Sequence, residues 1–308
     1  MLQNHNGEVY LFDFGETVSQ EHVKKYLNER NIYKIDKVFV THSHSDHIQA
    51  AEWLLEKFSV KELYCKTPDW DRMPELELGD WKTKEYHEKM INKAKDLGIP
   101  IIELNTDRTI TLSTKSRLKV YNTTNQDYSN YNSISLGFLF EYDADEGKKF
   151  KYFIAGDMSY NAEEHVGGQN IGKVDVLKLG HHGNTGSNGE TWLGHLQADM
   201  AVATTQYPPG NQVKQNSMRC MFVGSDVYLP NDNPNFMHIK VDKKTGVPWT
   251  SAIKHRIVSE WYKRDNGDWY YFKANGEFAK EESLIINGLK YNFNSNGLCI
   301  NPGGESIE

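Results

Sequence analysis

The segment from Thr41 to His47 holds three histidines and one aspartate in seven positions, in the order Thr-His-Ser-His-Ser-Asp-His. It directly follows the strand-like apolar run 37–40. Neutral imidazole nitrogen and carboxylate oxygen are ordinary ligands of Zn²⁺ and related divalent cations. Neither periodicity nor capping explains so many titratable groups in one place. The segment therefore predicts a metal site, and such a site favours hydrolytic chemistry.

The spacing within this segment is suited to two cations. His42 and His44 are two residues apart, so in a tight loop their rings can converge on one cation. Asp46 and His47 point differently and can serve a second cation. Paired cations about 3.5–4 Å apart lower the pKa of water and clamp the attacking and leaving oxygens.

Other polar motifs follow other predicted strands, as ligand-binding residues do when a sheet presents them on loops. Strands predicted at 8–14, 35–40, 151–155 and 174–179 end next to Gly15, the histidine segment, Gly156-Asp157 and Gly180-His181-His182-Gly183, respectively. Amphipathic patterns predict helices over about 20–30, 48–58 and 85–97.

Together these segments resemble the metallo-β-lactamase superfamily over roughly residues 1–240. The segment 41–47 resembles its His-x-His-x-Asp-His signature, and 11–15, 153–157 and 178–183 resemble its Asp-x-Gly, Gly-Asp and late histidine motifs. The resemblance implies an α/β fold, a four-layer αββα sandwich, with two divalent cations, zinc or manganese, at one edge of the sheets. The metal ligands that it implies are His42, His44, Asp46, His47, Asp157 and His182, with Asp157 bridging the cations.

The family's sixth histidine ligand is missing from its usual interval. The interval contains only His87, which we interpret as a helix-surface residue. At the expected place stands Asn-Tyr-Asn-Ser-Ile-Ser (130–135), which is similar to the hydrolase domains of bacterial competence DNA-uptake channels and to the pneumococcal phosphorylcholine esterase. Asn132 is therefore a candidate ligand-binding residue. Resemblance to the esterase favours His182 as metal ligand and His181 as the phosphate contact, although the residues alone leave both assignments open.

Composition bounds the remaining possibilities. With 308 residues the chain fits one large domain, or one domain with a small appendix. The formal charge of -7 argues against a protein whose main task is to hold nucleic acid electrostatically, although a local basic groove is compatible with it. Three scattered cysteines exclude a disulfide framework. No apolar run has the length of a membrane span, and the first residues lack the regions of a secretory signal. The family's first strand is missing, so we interpret the start as truncated.

The C-terminal part differs in composition and contains a repeat. Residues 267–276 align with 288–297, and each copy is an aromatic run that ends in Asn-Gly, which is typical of β-hairpins. We therefore predict two domains, 1–250 catalytic and 251–308 a β-hairpin appendix. The appendix resembles choline-binding cell-wall repeats, which hold quaternary ammonium between aromatic rings. Trp261 and Trp269 are the candidate choline contacts, although a structural cap is the favoured interpretation.

These observations lead to one main hypothesis and two alternatives. The main hypothesis is a metal-dependent phosphodiesterase, extracellular or attached to the cell wall, that acts on a surface phosphodiester such as a phosphorylcholine ester of teichoic acid. Its candidate catalytic residues are Asp46 and His181, and its substrate contacts are expected from 69–81 and 206–217. The alternatives are a DNA nuclease of the competence-channel type and a non-catalytic choline-binding protein of the cell wall.

Overall fold

The computed structural model of the chain describes residues 1–205, 211–233 and 236–307. The first half contains, in order, β1 Leu2–Gln3, β2 Val9–Phe12, α1 Gln20–Glu29, β3 Lys34–Ile35, β4 Lys37–Phe39, α2 Ser45–Ile48, α3 Ala51–Lys57, β5 Ser59–Val60, β6 Leu63–Cys65, α4 Glu75–Leu78, α5 Thr83–Asp96, β7 Ile101–Glu103, β8 Arg108–Thr111 and β9 Ser116–Tyr121. The second half contains β10 Gly137–Asp143, β11 Lys149–Ile154, α6 Tyr160–Val166, α7 Gly168–Ile171, β12 Val176–Lys178, α8 Glu190–Leu196, β13 Met200–Val202, α9 Asn211–Phe222, β14 Asp226–Tyr228, β15 Ile239–Val241, β16 Pro248–Thr250, β17 Glu260–Lys263, β18 Trp269–Phe272, β19 Glu282–Ile286, β20 Leu289–Phe293 and β21 Glu305–Ser306. Short 3₁₀ turns cover Thr17–Ser19, Trp70–Arg72, Tyr131–Ile134 and Gly180–Gly183.

Two large sheets form the centre of the molecule. The first has the strand order β1-β2-β4-β6-β7, and the second has the order β14-β13-β12-β11-β10-β9-β8. Alternation along the strands gives each sheet two apolar faces. In β10, for example, Phe138 and Phe140 belong to the core between the sheets, whereas Leu139 belongs to the core on the opposite face.

Helices cover the outer face of each sheet. Leu27, Leu54 and Met90 of α1, α3 and α5 pack on the first sheet. Ala162 and Trp192 of α6 and α8 pack on the second sheet. The layers are therefore helix, sheet, sheet and helix, which is the four-layer sandwich that the sequence predicted.

The parallel strands bring their carboxyl ends to one edge of this sandwich. In the first sheet, the parallel strands are β2, β4, β6 and β7. In the second sheet, they are β11, β12, β13 and β14. The segment 41–47 follows β4, Asp157 follows β11 and the His181-His182 pair follows β12. The topology thus collects at one edge motifs that lie more than a hundred residues apart in the sequence.

The C-terminal hairpins dock on α8 and α9. The Glu190 carboxylate accepts hydrogen bonds from Tyr262 Oη at 2.7 Å and from Arg264 Nε at 3.1 Å. Arg219 pairs with Asp265 at 2.5 Å, and Met218 packs among buried aromatic residues of β17 and β18. The predicted boundary near residue 250 stays a prediction. In the described part of the chain, no helix has the length and apolar character needed to cross a membrane.

Candidate metal centre

Asp13 ties the histidine segment to the neighbouring strand. Its carboxylate accepts hydrogen bonds from Thr41 N at 2.7 Å and from Thr41 Oγ1 at 2.8 Å. The same carboxylate lies 2.8 Å from His47 Nδ1. Because a carboxylate accepts, His47 carries its proton on Nδ1, and Nε2 is left to face the cluster described next.

Four side chains converge on one point at the edge of the sandwich. They are Asp46, His47, Asp157 and His182, and their ligand atoms all lie within 4.8 Å of one another. His47 Nε2 is 3.2 Å from Asp157 Oδ1 and 3.2 Å from His182 Nε2. His182 Nε2 is 3.1 Å from Asp46 Oδ2 and 3.4 Å from Asp157 Oδ2. Two imidazole nitrogens and two carboxylates in such proximity are a donor set that fits a divalent cation.

The charges within this cluster are strongly coupled. Burial disfavours a charge on His47, but the Asp157 and Asp13 carboxylates outweigh it and raise the pKa of His47 to about 10. Burial opposes ionisation of Asp46 as well, yet His182 and His47 lower its pKa to about 2. Burial opposes ionisation of Asp157 too, but His47, Lys178 and His182 outweigh it and hold the pKa of Asp157 well below its ordinary value. In the metal-free protein a proton on His47 therefore provides positive charge between two carboxylates, which is where a cation would provide it.

His42 and His44 form a second pair of donors beside the cluster. His42 Nε2 and His44 Nδ1 face each other at 3.0 Å. The other ring nitrogen of His44, Nε2, lies 3.0 and 3.2 Å from the two oxygens of buried Glu77. Glu77 therefore holds the ring so that Nδ1 faces His42. Burial and the nearby His47 and His44 keep the pKa of His42 well below its ordinary value, so His42 is a neutral imidazole with an available lone pair.

Close packing around Gly156 positions Asp157. Gly156 has φ +52°, and a Cβ there would lie 2.6 Å from Ser135 Oγ and 2.7 Å from Thr41 Cβ. Only glycine fits this contact between the two halves of the sandwich. Asp157 N donates to Ser135 Oγ at 3.0 Å, and Lys178 Nζ lies 3.4 Å from Asp157 Oδ1 while donating to Gly156 O at 2.6 Å.

The turn after β12 separates the roles of its two histidines. His181 and His182 both adopt the left-handed conformation, with φ 48° and 56°. His182 Nδ1 contacts Thr204 Oγ1 at 2.8 Å, which turns Nε2 into the cluster. His181 Nδ1 donates to Thr185 O at 2.7 Å, so its Nε2 is the ring nitrogen available to a ligand. The structure thus brings His182, and not His181, to the four-residue cluster.

A cavity of about 470 Å³ opens next to the cluster. Its lining includes Asp46, Asp157, His181, Asn132 and the ring of Trp81. Asn132 is 8 % exposed, and its Oδ1 has no hydrogen-bond partner in the described structure. A buried polar atom without a partner at a cavity is suited to contact a ligand.

Three further sequence predictions concern His87, the pair Trp261 and Trp269, and the segment 206–217. His87 does not lie on the helix surface: it is 3 % exposed, its Nδ1 is 2.9 Å from Ser43 Oγ, and burial lowers its pKa to about 4. That prediction was wrong because the loop before α5 folds over the helix and places Trp70 against His87.

Trp261 and Trp269 lie outside the cavity lining and pack on each other, with ring centroids 6.1 Å apart. The predicted contacts of 206–217 fall partly on 206–210, outside the described residues.

Sequence reasoning did not find several residues of this site. Glu77 lies in the four-residue helix α4, which is too short to show a periodic pattern, and Lys178 looks like an ordinary strand residue. Tyr131 belongs to the segment 130–135, where the family's sixth histidine was expected. Its ring centroid lies 4.9 Å from that of His44, and its hydroxyl accepts a hydrogen bond from Ser43 N at 3.2 Å. Asp13 had a signal, the Asp-x-Gly motif, although its contact with His47 was not predicted.

Comparison with known proteins agrees with this architecture. A family model described as "Metallo-beta-lactamase superfamily" matches residues 1–121. The chain is 28% identical over 193 residues to ComE operon protein 3 of Bacillus subtilis (strain 168), covering 62% of this chain and 22% of that protein. It is 45% identical over 47 residues to ribonuclease Z of Pediococcus pentosaceus, covering 15% of this chain and 14% of that protein. The chain thus matches about a fifth or less of the length of these relatives.

Among solved structures, the chain is similar to CmlA, a diiron β-hydroxylase from Streptomyces venezuelae. That match has 13% identity and a TM-score of 0.42, and it covers 72% of this chain and 45% of that one. The family match to residues 1–121 and the layers seen in the structure confirm the predicted fold class, an αββα sandwich of the metallo-β-lactamase type.

Proposed function

We propose that this chain is a metal-dependent phosphodiesterase. The observation that carries the proposal is the convergence of Asp46, His47, Asp157 and His182 beside an open cavity. The coarser conclusion, a superfamily of hydrolases with a candidate metal cluster, rests on the family match and the cluster. The choice of a phosphodiester, the ligand roles and the nature of the metal are the parts that we propose.

The donor set fits two divalent cations, zinc or manganese. Asp46, His47, Asp157 and His182 would hold one cation, and His42 and His44 would contribute to a second, with Asp157 shared between them. Bound there, the cations would supply Lewis acidity toward the phosphoryl oxygens and make water more acidic. Asp13, Glu77 and Thr204 would keep the imidazoles in the tautomers that ligation requires.

His181 and Asn132 are the proposed substrate contacts. Because His181 Nδ1 donates to Thr185 O, Nε2 is the ring nitrogen that faces a phosphate in the cavity, and it donates to a phosphate oxygen when the ring is an imidazolium. Asn132 lines the same cavity; its unpartnered Oδ1 only accepts hydrogen bonds, so the amide nitrogen is the atom that would donate to an anion. Both groups recognise an anionic tetrahedral centre by hydrogen bonds, and such bonds are strongest toward the charge that develops in the transition state.

A nuclease is the second candidate substrate assignment. It is favoured by the 47-residue similarity to a protein named ribonuclease Z, and by the half-exposed Trp81 ring at the cavity, which offers a stacking surface for a base. The first candidate substrate is the one named by the main hypothesis, a phosphorylcholine ester at the cell wall, which would give the aromatic appendix a role in binding. A non-catalytic choline-binding protein is the third possibility.

Metal analysis and a small substrate panel test the proposal. We expect purified protein to bind two divalent cations and to hydrolyse bis-p-nitrophenyl phosphate faster than a chromogenic β-lactam. Asp157→Asn and His182→Asn should abolish turnover, whereas the exposed control His22→Asn should leave it unchanged. Turnover of p-nitrophenylphosphorylcholine would select the cell-wall substrate, and degradation of single-stranded DNA would select the nuclease. Metal-loaded protein that is inert toward all three phosphodiesters refutes the proposal, and choline binding without turnover would support the non-catalytic alternative.

A further inference from the structure

A second cavity, of about 410 Å³, lies at the same edge of the sandwich. Lys66, Asn105 and Thr123 line it, and they follow β6, β7 and β9, respectively. Its lining is polar and includes Gln126 and Tyr128. Since β4 precedes the histidine segment and pairs with β6, this cavity continues the edge that carries the candidate metal centre.

Lys66 provides a positive charge in this cavity, and it forms no ion pair with the described residues. No carboxylate oxygen of the described residues lies within 4.0 Å of its Nζ, and the amine makes only a 3.4 Å hydrogen bond to Asn125 O. Burial lowers the pKa of Lys66 to about 8, and the more distant Asp107 opposes this shift only in part. A largely buried ammonium with one long hydrogen bond and no ion pair is unfavourable, so an anion in the cavity would stabilise it.

The nearby acidic groups are already occupied. Glu103 accepts hydrogen bonds from both Thr67 N and Thr67 Oγ1, at 3.1 and 2.6 Å. Asp107 accepts from Thr123 N and Thr123 Oγ1, at 3.0 and 2.6 Å. Asp69 also lines the cavity, and its carboxylate accepts from Asp71 N at 3.3 Å. Each of the three carboxylates thus has a hydrogen-bond donor, and only Asp69 among them lines the cavity.

Uncharged donors complete the lining. Gln126 Oε1 accepts from Arg72 at 2.6 Å, which leaves the amide nitrogen of Gln126 as a donor. The Tyr128 hydroxyl accepts from Asp69 N at 2.9 Å, which leaves its own proton to donate. Asn105 adds a side-chain amide. The lining thus offers a phosphate one ammonium and three neutral donors, against the one carboxylate of Asp69.

The two cavities are neighbours along one loop. Asn130 lines the first cavity and Tyr128 lines the second, two residues away. Between them, Tyr128, Tyr131 and Trp70 form one apolar cluster. A linear substrate with more than one phosphate can therefore follow this loop from one cavity to the other.

We propose that the Lys66 cavity binds a second backbone phosphate of a single-stranded nucleic acid whose neighbouring phosphodiester lies at the metal centre. This inference rests on the proposed phosphodiesterase function and deepens it by naming a polymeric substrate. Nucleic acid is favoured over other phosphate polymers because the half-exposed Trp81 ring stands at the first cavity, where a base can stack.

The test measures binding and hydrolysis separately. Binding of a fluorescent oligodeoxythymidylate of about eight nucleotides is followed by anisotropy, in metal-free protein so that no cleavage occurs. Lys66→Met should weaken binding about tenfold and reduce the log–log salt slope by about 0.7, the value for one phosphate contact on a single strand. The control Lys57→Met, an exposed lysine on α3, should change neither value. Hydrolysis of bis-p-nitrophenyl phosphate should be the same in Lys66→Met as in the unaltered protein.

Several outcomes would overturn the subsite. An unchanged affinity and salt slope would do so, as would an equal loss of activity on bis-p-nitrophenyl phosphate, since that loss indicates a structural role. If Lys66→Met does not fold, Asn105→Asp decides: it places a negative charge in the cavity and should weaken binding to a similar degree. Displacement of the probe by poly(glycerol phosphate) but not by unlabelled oligonucleotide would overturn the assignment to nucleic acid. Protein that hydrolyses no phosphodiester would refute the proposed function, whereas the anisotropy result would still decide the subsite.

Discussion

Glu77 offers the sharpest test of how the second pair of donors is held. Its carboxylate contacts His44 Nε2 at 3.0 and 3.2 Å and accepts from Thr83 Oγ1 at 2.8 Å. In Glu77→Gln one of the two oxygens that face His44 Nε2 becomes an amide nitrogen and the negative charge is lost, so the bond that holds the His44 ring is weakened. We expect the His44 ring to lose its preferred orientation, and Nδ1 to turn away from His42.

The size of the effect follows from the donors that each position offers. Losing the partner that orients a metal-binding histidine typically weakens metal affinity about 10- to 100-fold, which is about 1.4 to 2.8 kcal/mol. The position formed by His42 and His44 has fewer donors from this chain than the four-residue cluster, and no carboxylate of its own. It should therefore be the weaker of two binding phases, and the effect should be confined to it.

Cobalt titration followed by its visible absorption, with a competing chelator, resolves the two phases. We expect Glu77→Gln to shift the weaker phase by the factor given above and to leave the stronger phase within about twofold. Glu75→Gln, an exposed glutamate on the same short helix, is the matched control and should shift neither phase. If both phases shift equally, or if neither shifts, then Glu77 does not position His44 for metal and the reasoning is refuted.

Three further predictions concern other residues of the site and its surroundings. Lys178→Met should lower the unfolding free energy of the metal-free protein by about 1–3 kcal/mol, because the buried Asp157 carboxylate loses a nearby positive charge. Lys178→Met should also raise the affinity for zinc, because the cation no longer meets the lysine charge beside Asp157. Urea unfolding with and without zinc measures both effects, and unchanged unfolding curves would contradict the prediction. Asn132→Ala should reduce kcat/KM on bis-p-nitrophenyl phosphate about tenfold without changing the melting temperature, because its side chain has no described hydrogen bond to lose; a lowered melting temperature would instead indicate a structural role. Burial raises the pKa of Glu163 to about 8, although two backbone N–H groups of residues 188 and 189 oppose this. The folded pKa of Glu163 lies above its unfolded value, so its contribution to stability is complete below about pH 4.5. That contribution is lost as the pH rises from there through about 8. The free energy of unfolding measured from pH 5 to 9 should therefore decline, and Glu163→Gln should remove this decline.

The motifs that are short and local could be recognised from the sequence. His42 to His47 form a dense cluster within one loop, and the Gly156-Asp157 pair follows a clear apolar strand. Each motif carries its chemistry within a few residues, so no knowledge of distant contacts was needed. The alternation in the strands and the amphipathic helices likewise predicted individual elements, because burial on a single face imposes a period on the sequence, whereas the layers came from the family resemblance.

The partners of those motifs depended on the folded chain. Glu77 reaches His44 from 33 positions away, and Lys178 reaches Asp157 from 21 positions away. Neither residue belongs to a periodic pattern, and both would be unremarkable on a surface. The wrong interpretation of His87 has the same origin, because helical periodicity cannot show that the loop containing Trp70 folds over that face of α5.

The sequence by itself determined the fold class, the donor types and the order of the motifs along the chain. It could not distinguish His181 from His182, because a strand or loop assignment does not specify the left-handed turn in which the two rings diverge. In the tertiary structure His182, and not His181, joins the four-residue cluster, and Lys66 lies in a cavity next to the candidate metal centre. The physical reason is that residue types and periodicity record local chemistry and burial, whereas the direction of a side chain and the charge that faces it are set by segments packed from elsewhere in the chain.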